Sequence, residues 1–126
     1  VSRDRGNRLQ NALAAWLLPW YPHAESAGAG RNGSDVLGTP GVVWECKTAA
    51  DFKRDFRPAA WVEQAKSHAR GRRGDAVPVV VYFPPGVGAA NTAHALTIMP
   101  LHVLLHVLAE AGYTGETPQV KETASK

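Results

Sequence analysis

The chain is 126 residues long, 44% hydrophobic and 20% charged, enough for one domain with a buried core and too short for a large multidomain enzyme. No run of about 18 uninterrupted apolar residues occurs, and the first residues lack the basic, apolar, small-residue order of a signal peptide, so neither a membrane span nor export is expected and the expected location is cytoplasmic. The single cysteine, Cys46, makes no intrachain disulfide, in agreement with a reducing compartment.

The formal net charge is +3, and twelve of the fourteen Lys and Arg residues precede Ala76. They gather at Arg3, Arg5 and Arg8, at Lys53, Arg54 and Arg57, and at Lys66, Arg70, Arg72 and Arg73, with Arg31 in a glycine-rich segment. Beyond Ala76 only Lys121 and Lys126 offset Glu110, Glu116 and Glu122. Such asymmetry is consistent with a positive face for a phosphate-rich partner, and equally with ordinary solvated charge.

In chain order, Leu9, Leu13, Trp16 and Leu17 recur at helical spacing over residues 4–18, with Asp4 as N-cap and Pro19 and Pro22 as stops. A short strand is expected at 23–26, then a flexible loop, AGAGRNG. Residues 34–47, SDVLGTPGVVWECK, read as a hairpin. A charged loop leads to a helix over 58–70, with Pro58 in its first turn and GRRGD after it. AVPVVVYF is a β-branched strand buried on both faces. After the loop PPGVGAANTA come a strand, HALTIM, and a helix over 100–111 with Leu101, Leu104, Leu105 and Leu108 on one face. Residues 1–113 form a single domain, and 114–126 are a polar, frayed tail. No internal repeat is present.

The chemistry concentrates in the hairpin. A three-residue loop of Thr39, Pro40 and Gly41 pairs Gly38 with Val42 and sets Asp35 opposite Glu45. Residues two apart share a strand face, so Glu45 and Lys47 point one way and Trp44 and Cys46 the other. Two carboxylates then converge beside an ammonium, where they repel unless bridged. Mg²⁺ or Mn²⁺ suits such hard oxygen donors: Asp35, Glu45 and the Cys46 carbonyl as ligands, with Lys47 orienting a water or stabilising phosphate charge. The plain alternative is a surface hairpin whose charges emerge into solvent.

An acid, about ten residues with a turn, then Glu, any residue and Lys on an apolar strand resembles the PD-(D/E)xK nuclease superfamily; here the motif is Ser34 and Asp35, then Glu45, Cys46 and Lys47, with Ser34 in place of the usual proline. The resemblance covers residues 4–83 and implies an α/β, restriction-endonuclease-like core (αβββαβ), a mixed central sheet flanked by helices, followed here by a C-terminal strand and helix. Within it the chain is most similar to archaeal-type and phage Holliday junction resolvases. Arg5 and Gly6 match their opening helix, but Gln10 stands where a metal-binding glutamate would be and offers a carbonyl oxygen without charge. AGAGRNGS resembles their glycine-rich loop, without assigning Ser26 or Ser34 a role. The resemblance implies a homodimer that hydrolyses branched DNA, with Asp35, Glu45, Lys47, Gln64 and Gln10 at the catalytic site. From their clustering along the chain, the basic residues Arg3, Arg5, Arg8, Arg31, Lys53, Arg54, Arg57, Arg70, Arg72 and Arg73 are the expected DNA contacts. A nuclease fold that binds DNA without cutting, and a nickase or restriction-like enzyme on linear duplex, remain as alternatives.

Gln64 and His68 are four apart on one helical face, with Trp61 a turn earlier, similar to the glutamine and aromatic pair of the exonuclease-like branch. Arg70, Arg72 and Arg73 suit phosphate contacts or solvation of the helix end. His102 and His106 have helical ligand spacing but neither a zincin glutamate nor an obvious third ligand, so a polar stripe continued by Glu110 is favoured. Cys46 shares a face with Val42 and Trp44 and reads as buried and structural rather than nucleophilic. GVGAAN lacks the lysine of a P-loop.

Overall fold

Leu9, Leu13, Ala14 and Leu17 fall on one stripe of helix α1 (Ser2–Leu17) and bury it, so this face docks on the sheet. The computed structural model describes residues 2–28, 33–49, 56–70 and 76–113, without the side chains of residues 2–5. Two short strands, β1 (Glu25–Ser26) and β2 (Val36–Leu37), pair antiparallel. The main sheet has the order β3-β4-β5, formed by β3 (Val42–Thr48), β4 (Val77–Phe83) and β5 (Leu96–Ile98). Helix α2 (Pro58–Arg70) is the crossover between β3 and β4, which run parallel. β5 pairs antiparallel on the other side of β4. Helix α3 (Leu101–Glu110) follows.

β4 is the spine, buried on both faces as its composition predicts. Val79, Val81 and Phe83 join the α1 layer, whereas Val80 and Tyr82 pack with Trp61 and Ala65 of α2. Pro78 sits in this central strand without cost. The Val77 amide bonds the Gly41 carbonyl on the β3 side, so the position of Pro78 faces the other edge, where β5 reaches only as far as Val80.

Several expectations are corrected. β2 does not form a ladder with β3 but pairs with β1. The turn closes one residue away from the expected register, with the Val42 amide on the Thr39 carbonyl, and the Asp35 amide donates to the Trp44 carbonyl. The reason lies at Gly38: its φ of +81° turns the chain against the His23 carbonyl, leaving no room for a Cβ there. The loop after β4 contains a 3-10 segment, Ala89–His94, and the last strand is shorter than HALTIM. Cys46 is half-buried rather than buried, packed against the α1-side core. The leucine face of α3, which the sequence leaves open to core or partner, has no buried residue. No described helix is long and apolar enough to cross a membrane. The tail 114–126 lies outside the described residues.

Candidate active site

β3 is positioned by alternation. Its α1 face carries Val42, Trp44 and Cys46 against the core, which turns Val43, Glu45 and Lys47 to the α2 face. Glu45 is consequently only 4% exposed. Its Oε2 lies 3.7 Å from Lys47 Nζ. Its Oε1 lies 3.4 Å from His68 Nδ1, yet among the described residues neither atom has a hydrogen-bond partner, so this approach is close without being a hydrogen bond.

Asp35 enters from the segment before β2. Its amide donates to the Trp44 carbonyl, its carbonyl accepts from the Ala27 amide, and its Oδ2 accepts from the Cys46 amide at 2.7 Å. One residue thus joins the two sheets and directs its carboxylate along β3. Ser34 fixes the approach. Its hydroxyl, 3% exposed, accepts from the Trp44 amide at 2.9 Å and donates to the Val36 carbonyl at 2.7 Å. These bonds serve where a regular β2-β3 ladder is missing, a role the sequence did not disclose. The nearby signal was a hydroxyl one residue before the acid, a residue type that bonds local backbone readily.

The electrostatics follow from burial. Desolvation first, and then the Asp35 charge, push the Glu45 carboxyl up to about 7 despite Lys47. Asp35 is also raised, by burial, with the Cys46 amide, Lys47 and His68 opposing. The buried Glu45 and the half-buried Asp35, whose charge disfavours ionisation of Glu45, with one Glu45 oxygen lacking a hydrogen-bond partner among the described residues, form a donor set suited to a hard divalent cation. Asp35, Glu45 and the Cys46 carbonyl would hold it. Among the described residues no group of three or more His, Cys, Asp and Glu side chains gathers as a metal cage, so the remaining donors would be carbonyl, water or phosphate oxygens.

Helix α2 brings the expected pair to this place. Gln64 Oε1 accepts from Lys47 Nζ at 3.2 Å, and His68 faces Glu45 one turn later. Lys47 Nζ stands 5.9 Å from the centre of the buried Trp61 ring, which packs with Phe56 and Tyr82. Gln10 meets β1 instead: its Nε2 donates to Ser26 Oγ at 2.9 Å, leaving the carbonyl oxygen as the group it can offer. The Ser26 strand is joined to Asp35 through the Ala27 amide.

The structure brings together Asp35, Glu45, Lys47 and Gln64, with Gln10 at the adjoining strand. Among the expected DNA-binding residues, Arg8, Arg57 and Arg70 are exposed at α1, before α2 and at the end of α2. Arg8 lines a cleft with Phe83 and the loop 84–88, separate from the carboxylates. Lys66 pairs with Glu63 at 3.1 Å. Arg31, Lys53, Arg54, Arg72 and Arg73, and the side chains of Arg3 and Arg5, lie outside the described residues. Comparison with family models, curated proteins and solved structures finds no match.

Proposed function

We propose that the chain is a metal-dependent DNA endonuclease with a restriction-endonuclease-like core, acting on branched DNA in the manner of a Holliday junction resolvase. The observation that carries the proposal is the meeting of Asp35 and Glu45 beside Lys47, with a buried Glu45 oxygen that has no hydrogen-bond partner among the described residues. Mg²⁺ or Mn²⁺ held there supplies Lewis-acid polarisation of a phosphate oxygen and a more acidic water. Lys47, steadied by Gln64, orients the attacking water and offsets charge developing on the phosphate. Ser34 and the Cys46 amide fix Asp35, so the carboxylate is in place before substrate arrives. The preference for branched DNA rests on the resemblance of Arg5, Gly6 and the glycine-rich loop to the resolvases.

A second reading, a DNA-binding protein that does not cut, is favoured by Gln10, an amide at the position of a family glutamate and tied to Ser26. Metal binding separates the two. Isothermal titration of Mn²⁺ into the protein should give saturable binding that Asp35→Asn and Glu45→Gln each weaken at least tenfold. Binding unchanged in both variants would remove the catalytic reading.

A further inference from the structure

Glu45 Oε1 and His68 Nδ1 are both buried, and among the described residues neither has a hydrogen-bond partner. Buried polar atoms are ordinarily paired, so two that face each other across 3.4 Å point to a group that joins them. Lys47 does not fill that place. Its Nζ lies 3.7 Å from the other Glu45 oxygen, Oε2, and donates to Gln64 Oε1 at 3.2 Å. Helix α2 fixes the imidazole: His68 follows Gln64 by one turn, and the buried Trp61 and Ala65 of the same helix pack it against Val80 and Tyr82 of β4.

We infer that His68 Nδ1 is a ligand of the cation that Asp35 and Glu45 bind, taking a place otherwise left to water, so that the site selects first-row transition ions such as Mn²⁺ over Mg²⁺. The inference rests on the metal-binding reading of the two carboxylates. Two donors each about 2.1 Å from one cation, at an angle of about 90–110°, lie roughly 3.0–3.4 Å apart, and the separation of Oε1 and Nδ1 matches the upper end of that range. A neutral imidazole bound through Nδ1 keeps its proton on Nε2. The His68 side chain is 26% exposed although Nδ1 is buried, so the rest of the ring can meet water. Asp35, Glu45 and His68 do not gather as a closed cage among the described residues, and the shell therefore stays open to solvent and phosphate oxygens. Imidazole nitrogen suits transition ions, whereas Mg²⁺ prefers an all-oxygen shell.

Electron spin-echo spectroscopy of the Mn²⁺-loaded full chain, with calorimetric titration of Mn²⁺ and of Mg²⁺, tests this. The unmodified protein should show imidazole-type nitrogen modulation on Mn²⁺ and bind Mn²⁺ about tenfold or more tightly than Mg²⁺. His68→Gln, with unchanged circular dichroism, should lose the modulation and about tenfold in Mn²⁺ affinity while its Mg²⁺ affinity stays the same. Mn²⁺ binding that Asp35→Asn and Glu45→Gln weaken, but without nitrogen modulation, would overturn this inference and leave the carboxylate site standing. Modulation that persists in His68→Gln would also overturn it, since the nitrogen would then belong to another residue. Mn²⁺ binding indifferent to both carboxylate variants would overturn the carboxylate site and this inference with it.

Discussion

Glu45 reaches its buried position because Val42, Trp44 and Cys46 must face the α1 core, and the strand period then turns Glu45 to the α2 side, where it is 4% exposed. Its folded pKa, raised to about 7 from 4.5, means that the folded state holds the proton over a range where the unfolded chain has released it. The linked stability is therefore fully present below about pH 4.5 and is lost as pH rises through about 7, with Asp35 acting in the same direction. The Glu45 contribution is on the order of 3 kcal/mol. Urea unfolding in EDTA at pH 5 and pH 8 should show this loss, and Glu45→Gln should remove most of it. Added Mn²⁺ should restore stability chiefly at the higher pH, because the cation requires the ionised carboxylates. The alternation of GVVWECK made this residue legible from sequence. The unpartnered His68 nitrogen opposite it was not, because only the crossover packing of α2 sets that distance.

At the scale of elements, the order of helices and strands could be read from periodicity, and β4 from its β-branched run. The β2-β3 register could not. It depends on Gly38 folding against His23 and on a serine hydroxyl standing in for ladder bonds, neither of which leaves a periodic trace. Ser34→Ala tests this junction. The Trp44 amide and the Val36 carbonyl would lose a buried partner, at a cost of about 1–3 kcal/mol in urea unfolding. Mn²⁺ affinity should fall as well, because Asp35 follows directly on Ser34. α3 shows the opposite limit: its leucine face was plain in the sequence, but helical spacing alone does not distinguish a buried face from an exposed one.

At the scale of the whole molecule, the mixed sheet places α1 on one face and α2 on the other, and the carboxylates lie on the α2 side. The basic residues were legible as clusters in sequence, and the described ones, Arg8, Arg57 and Arg70, are exposed. The measurement that tests the central claim most directly is cleavage of labelled four-way junction, flap and linear duplex DNA with Mg²⁺ or Mn²⁺, comparing the unmodified protein with Glu45→Ala. Metal-dependent, paired symmetric cuts in the junction, abolished in the folded variant, are the predicted result. Cutting of linear duplex alone would keep the nuclease and contradict the junction preference, and binding of all three DNAs by folded protein without any cleavage would contradict the enzyme itself.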